Sequence, residues 1–281
     1  MAKSSPMSTM TPPQPLTAVS TGAAGADPPK RLRDAPAWVV HALNGYEAHG
    51  DRIRRIFAEQ EIPFEFATEG DVSRMDEKLL RRCFTPELLG RFPRTKLSCS
   101  LNHMLLYERI VEDGAPYAVV FEDDVCFLTD FRSSLDAIDA EVRALRPGFL
   151  VSLENSTLRF PSYWQARRGQ QLYRADVGRC AGAYLIDRAA ALAMTDEMHT
   201  RRADSLIDHW HNTLADRGVI AIYWAHPAPV EQGSHNGVIS ARESTHRSSP
   251  YRRASWLFQR TLRLTLGRLF WQKHLRDPAQ P

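Results

Sequence analysis

The sequence predicts an α/β domain built on a mostly parallel central sheet. Three observations carry this. Residues 37–43, 51–60 and 62–67 read as strand, helix and strand, and a βαβ unit of about thirty residues is the building block of parallel sheets. Short apolar runs then recur at 117–121, 149–153, 183–186 and 219–225, separated by stretches of helical periodicity. Composition is that of an ordinary globular chain, 43% hydrophobic and 25% charged over 281 residues, which suffices for one large domain.

Residues 1–34 are rich in Pro, Ser, Thr, Ala and Gly and cannot bury enough apolar surface to offset their ordering entropy, so a disordered leader is expected. The main domain runs from 35 to 248. Asn44-Gly45 ends the first strand with turn chemistry. The polar run 69–94, broken by Pro86, Gly90 and Pro93, reads as irregular, with a short helix around 76–83. Leu97, Leu101, Met104, Leu105, Ile110 and Val111 fall at helical spacing over 96–113, and Gly114 stops that helix. Asp130 is placed to cap a helix carrying Phe131, Leu135, Ile138, Val142 and Leu145. Residues 171–174 read as an edge strand, 188–198 and 204–216 as helices, and 227–233 as a rigid exit loop.

Net charge is only +3, too little to argue for nucleic acid. Its distribution is uneven. The tail, 249–281, holds Arg252, Arg253, Arg260, Arg263, Arg268, Lys273 and Arg276 against Asp277, interleaved with Trp256, Phe258, Phe270, Trp271 and several leucines. Such a segment suits an anionic membrane surface, or a terminal helix docked on the domain. On a helical wheel its apolar residues spread nearly all round. Cys83, Cys99, Cys126 and Cys180 form no CxxC pair, which argues against zinc and for reduced thiols. No signal-like apolar run and no membrane-length stretch is visible, so the expected location is cytoplasmic, with a peripheral position at the inner membrane allowed by the tail.

The chemistry gathers at Glu122-Asp123-Asp124, directly after the apolar strand 117–121. Ligands of open α/β sheets bind at the carboxyl ends of strands. Adjacent carboxylates repel, and a divalent cation shared with a substrate phosphate relieves them. The bland alternative is a solvated acidic turn. Tyr163 and Trp164, in a loop after a strand, can stack a sugar or plug a local core.

Taken in order, Leu97-Ser-Cys-Ser-Leu-Asn-His103, Tyr117-Ala-Val-Val-Phe-Glu-Asp-Asp-Val125, Gly182-Ala-Tyr-Leu-Ile186, Asp204 and Pro227-Ala-Pro-Val-Glu-Gln232 resemble glycosyltransferase family 25. Its bacterial members include galactosyltransferases that extend lipooligosaccharide and lipopolysaccharide cores. The resemblance covers about residues 37–240. It implies a GT-A-like, Rossmann-like fold, a UDP-sugar donor, a lipid-linked oligosaccharide acceptor, and a DxD-type motif holding Mn²⁺ or Mg²⁺. Glu122 and Asp124 then match the metal ligands, and Asp123 the ribose contact. His103 matches a helix histidine, Arg52 an arginine after strand one, and Gln232 a closing glutamine. Inversion at the anomeric carbon also needs a base, for which Asp204, Asp208, Glu154 and His103 are candidates, Asp204 by its family match. Asp204 can equally serve as the N-cap of its own helix. The chain departs from the family at His41-Ala-Leu-Asn44-Gly45 and at Arg94-Thr-Lys-Leu-Ser98. Two other readings stay open: a non-catalytic relative kept for binding, and a metal-dependent phosphohydrolase of nucleotide sugars.

Overall fold

Strand β1 (Ala37–Val40) is buried along its whole length, so its residues alternate between two covered faces. The computed structural model describes residues 31–239 and 249–276; the expected leader as far as residue 30 lies outside the described residues. Residues 32–34 form a single 3-10 turn whose Leu32 is buried, and the Leu32 amide donates to Asp139 Oδ1 at 2.7 Å. The described chain is thus already packed on the domain at Leu32.

Helix α1 (Glu47–Glu59) leads to β2 (Glu65–Ala67), which pairs parallel with β1. The run read as irregular holds two helices, α2 (Glu77–Cys83) and α3 (Pro86–Arg91). Pro86 looked like a breaker. It occupies the first turn of α3, where its missing N–H costs nothing, and Thr85 caps that turn by accepting from the Leu88 amide. Helix α4 (Arg94–Asp113) ends at Gly114, whose φ of 71° is the left-handed conformation glycine adopts freely.

Strand β3 (Tyr117–Glu122) is followed by β4 (Val125–Phe127), α5 (Phe131–Arg143), β5 (Phe149–Ser152), β6 (Leu172–Ala175) and β7 (Ala183–Asp187). Asp130 caps α5 as its position implied, accepting from the Ser133 amide at 2.6 Å. Helices α6 (Arg188–Arg201) and α7 (Ile207–Asp216), β8 (Ala221–Ala225), β9 (Val230–Gln232) and α8 (Gly233–Asn236) complete the domain. After the undescribed 240–248, α9 (Pro250–Leu264) and a 3-10 turn at Leu266–Leu269 close the described chain.

The main sheet has seven strands in the order β2-β1-β3-β7-β5-β8-β6. The sheet is mostly parallel: β2, β1, β3, β5 and β8 share one direction, while β7 and the edge strand β6 run against it. An apolar run carries no direction of its own, so the reversal of β7 had no signature in its residues. One face of the sheet, with Trp38, Val120, Tyr184 and Ile222, packs against α4, α6 and α7. The other, with Val39, Phe121 and Leu185, packs against α1 and α5. The supposed exit loop contains β9, which pairs antiparallel with β4 so that Val125 opposes Gln232. This small ribbon ties the chain's late residues to the turn that follows β3.

Candidate functional site

At the carboxyl end of β3 the three acids go three ways. Val40 pairs with Glu122, so the residues that follow β1 reach Asp123. His41 Nδ1 lies 2.6 Å from Asp123 Oδ2, and His49 Nδ1 on α1 stands 3.6 Å from the other oxygen. Burial pushes the Asp123 carboxyl up, and the hydrogen bond from His41 with the nearby His49 more than offsets it, leaving it below its ordinary value.

Asp124 turns toward α8. Its Oδ2 accepts from the Ser234 hydroxyl and, at 3.2 Å, from the Ser234 amide, while its carbonyl accepts from the Gly233 amide at 2.7 Å. Its Oδ1 is buried without a partner among the described residues. Burial leads the forces that raise this carboxyl, with Asp123 adding to it and Ser234 pulling back.

Glu122 points to the α4 face. Its Oε2 accepts from Gln232 Nε2 at 2.7 Å; its Oε1 lies 3.4 Å from both Cys99 Sγ and His103 Nε2. Burial, then the charges of Asp124 and Asp208, push its carboxyl well above the usual range. Behind it runs a closed hydrogen-bond chain. His103 Nδ1 meets the Tyr184 hydroxyl at 2.7 Å, Tyr184 meets Tyr107 at 2.9 Å, and Tyr107 meets His211 Nε2 at 2.7 Å. Burial lowers His103 to about 4 and His211 to about 3, so both rings are neutral at pH 7. Close packing seals this wall: a Cβ on Gly182 would stand 2.4 Å from the Gln232 side chain.

These residues border a cleft of about 320 Å³. Its lining includes His41, Tyr46, His49, Lys96, Ser98, Cys99, the three acids, Asp208 and Ser234. The first turns of α4 and α7 both open onto it, and helix N-termini favour anions.

Of the candidate bases, Asp208 lines the cleft, and its Oδ1 accepts from the Ala181 amide at 2.6 Å. Asp204 does not line it. It is exposed on the turn before α7, and it does not cap that helix, whose N-cap is Leu206. Glu154 is fully buried off the cleft, and burial raises its carboxyl to about 7. His103 is fully buried behind Glu122, so it positions that carboxylate and cannot meet an acceptor. Arg52 is also off the cleft: its Nη2 donates to the Val125 carbonyl and, at 3.2 Å, to Cys126 Sγ, bracing β4 from behind. Gln232 likewise holds Glu122 from behind. His41, His49, Lys96 and Ser234 are cleft residues that sequence reasoning passed over. Parallel pairing of β1 with β3 would have placed His41 beside Asp123, whereas nothing in the residues announced Ser234.

The donor set fits a hard divalent cation. Asp124 Oδ1 and Gln232 Oε1 are both buried and unpartnered among the described residues, and the carboxyls of Asp124 and of Glu122, which Gln232 holds, are both raised. A softer trio, Cys99, His103 and Glu122, brings its ligand atoms within 4.8 Å of one another. Burial and then Glu122 push the Cys99 thiol well up, which keeps it protonated and a poor ligand. The four cysteines are free, as expected.

The sequence pattern described as glycosyltransferase family 25 (LPS biosynthesis protein) matches residues 42–207. The chain belongs to glycosyltransferase family 25. That span takes in α4, the acidic turn, β7 and the start of α7, the elements that build the cleft. An 89-residue stretch of the chain is 29% identical to a Haemophilus influenzae protein named lipooligosaccharide biosynthesis protein lic2B. The match covers 31% of this chain and about a third (33%) of that relative's length. A solved Bacillus anthracis protein, described as a glucose-1-phosphate thymidylyltransferase in complex with a sucrose, overlaps 79% of this family 25 chain and 95% of its own. At a TM-score of 0.36 and 12% identity, that overlap is too loose to argue from.

Proposed function

We propose that this chain is a glycosyltransferase that moves a hexose, galactose, from a UDP-sugar to a lipooligosaccharide or lipopolysaccharide core acceptor, with inversion. Family membership and the name of the Haemophilus relative support the reaction class and the acceptor class. The observation that carries the reading is that Asp208 and the three acids of the β3 turn face one cleft.

Transfer breaks the bond from the anomeric carbon to a diphosphate, and negative charge grows on that leaving group. Lys96 and the first turn of α4 border the space where the diphosphate fits. Glu122 and Asp124 are the residues that would hold Mn²⁺ or Mg²⁺, which when bound supplies positive charge to the departing oxygens. One or two carboxylates suffice, because substrate phosphates complete the shell of such ions. Asp123, kept ionised by His41 and His49, is the acceptor for a ribose hydroxyl. Asp208 takes the proton from the attacking hydroxyl. Its carboxylate is anchored by the Ala181 amide at one oxygen, which leaves the other for that proton.

The test is incubation with a panel of UDP-sugars, Mn²⁺ and core oligosaccharide acceptors. Acceptor-dependent elongation with an inverted anomeric configuration is expected, with galactose the preferred donor. Asp208→Asn, which keeps the hydrogen bond to Ala181, should lower kcat by about 10²- to 10⁴-fold while UDP binding persists. Sugar release without elongation would replace this reading with phosphohydrolysis. Failure to bind both UDP and Mn²⁺ would leave a non-catalytic binding protein.

A further inference from the structure

We infer that the C-terminal segment and the loop around Tyr163 and Trp164 together form a docking surface for an anionic lipid bilayer, placed beside the mouth of the cleft. The inference rests on the reading above only for the purpose of docking, which is to meet a lipid-linked acceptor.

The inward face of α9 is now identified. Arg252, Trp256 and Arg260 fall at i, i+4 and i+8 and turn to the domain. Arg252 Nη2 donates to the Ser234 carbonyl at 2.9 Å, Trp256 Nε1 to Glu231 Oε2 at 3.1 Å, and Arg260 pairs with Glu231 at 2.6 Å. With Trp256 inward, the other large apolar residues of α9 fall in two groups, Leu257 and Leu264 on one side of it and the rest on the other. Tyr251, Phe258 and Leu262, at i, i+7 and i+11, fall on one stripe roughly 140° round the helix from Trp256, at about 100° per residue. No residue of α9 is buried.

Beyond the helix further large aromatics are exposed. Trp164 is 73% exposed, Phe270 75%, Trp271 59% and Phe258 69%. The loop and the tail are locked together. Trp164 Nε1 donates to the Leu269 carbonyl at 3.1 Å, Tyr163 OH donates to the Leu264 carbonyl at 3.2 Å, and the Arg268 guanidinium lies 4.5 Å from the Tyr163 ring centre. Neither aromatic plugs a core. A rigid, exposed aromatic patch of this kind is rare on a free protein surface and marks an interaction site.

Charge selects the occupant. Residues 249–276 contain no Asp or Glu and carry seven Arg or Lys. Arg253, Arg263 and Lys273 have no ion pair among the described residues, so they are available to an anionic partner. A second copy docked face to face would set these cations against their equals. A bilayer with anionic headgroups takes both the aromatics, which settle at the headgroup boundary, and the cations. Location fits as well. The loop follows β5 at the same sheet end as the acids, and Ser234, which Arg252 holds, both lines the cleft and binds Asp124.

The test uses the full chain and vesicles of phosphatidylcholine with or without phosphatidylglycerol. Co-sedimentation should favour the anionic vesicles by about tenfold or more and weaken with salt. Phe258→Ser/Phe270→Ser/Trp271→Ser should lose about tenfold or more of that partitioning, with an unchanged melting curve and unchanged transfer to a soluble acceptor. Arg263→Glu/Lys273→Glu should remove the salt-sensitive part. Equal partitioning of wild type and triple variant overturns the inference. So does a wild-type dimer, abolished in the triple variant, without vesicle binding. If partitioning behaves as expected but no sugar is transferred to any acceptor, docking stands and the transferase reading falls.

Discussion

Glu122 and Asp123 are neighbours in sequence and opposites in setting. Glu122 sits on the α4 flank, against Cys99, His103 and Gln232, with acids as its strongest charged neighbours, and its carboxyl is pushed up. Asp123 sits on the β1–α1 flank between two histidines, and its carboxyl is held down. An acidic triplet is thus two half-sites back to back. One is left to find positive charge in a ligand, and the other already has ring nitrogens of the protein beside it. The difference comes from the period of the strand, which sends successive side chains to opposite sides, and from which helix waits on each side.

The largest effect should come from breaking the needy half. Asp124→Asn or Glu122→Gln is expected to lower kcat by about 10²- to 10³-fold with a normal circular dichroism spectrum, since transition-state charge loses its complement. Near-wild-type turnover would remove the pair from the mechanism. Next is Gly182→Ala, whose methyl must displace Gln232 and free Glu122. It should cost about 10-fold or more in kcat, and a structure with Gln232 unmoved would refute the route.

Stability should separate the halves by sign. A carboxyl raised on folding loses stability as pH climbs from its unfolded value, about 4.5 for Glu122, through the folded one. Glu122→Gln should therefore raise the melting temperature of metal-free protein, with a gain that grows above about pH 4.5. Asp123 is depressed, so its contribution is present above about 3.8 and is lost as pH falls through the folded value. Asp123→Asn should lower the melting temperature at neutral pH. Equal signs would dissolve the contrast. The smallest effect is expected at Asp204. Being exposed and off the cleft, Asp204→Asn should change kcat/KM less than about twofold, against the large loss at Asp208.

These outcomes also measure what a sequence conveys. The strand before the acids, the α5 period and its Asp130 cap were legible because each rests on local chemistry. Helix α3 was hidden because Pro86 was weighed as a breaker and not as a first-turn residue. Strand β9 was hidden because three residues have no measurable period. At the site, the carboxylates could be named, but not their partners. His41, His49 and Ser234 are joined to them only by pairing of β1 with β3 and of β4 with β9. Asp204 and Asp208 lie one helical turn apart in sequence, and only the cleft distinguishes them. Removing the chain after residue 249, an obvious way to ask whether the tail binds membrane, would also delete the Arg252 contact to Ser234, so its effect on activity would be ambiguous.

The buried chain from Glu122 through His103, Tyr184 and Tyr107 to His211 has a spectroscopic consequence. Its donors can all point one way or all point the other, because each hydroxyl and each neutral ring both gives and accepts one bond. Protons in the buried bonds of 2.7–2.9 Å from His103 to His211 exchange slowly and resonate downfield. A ligand that draws Glu122 toward the cleft sets the direction of the whole row. The imidazole signals of His211, four links away from the carboxylate, would then report occupancy of a cleft that His211 never touches.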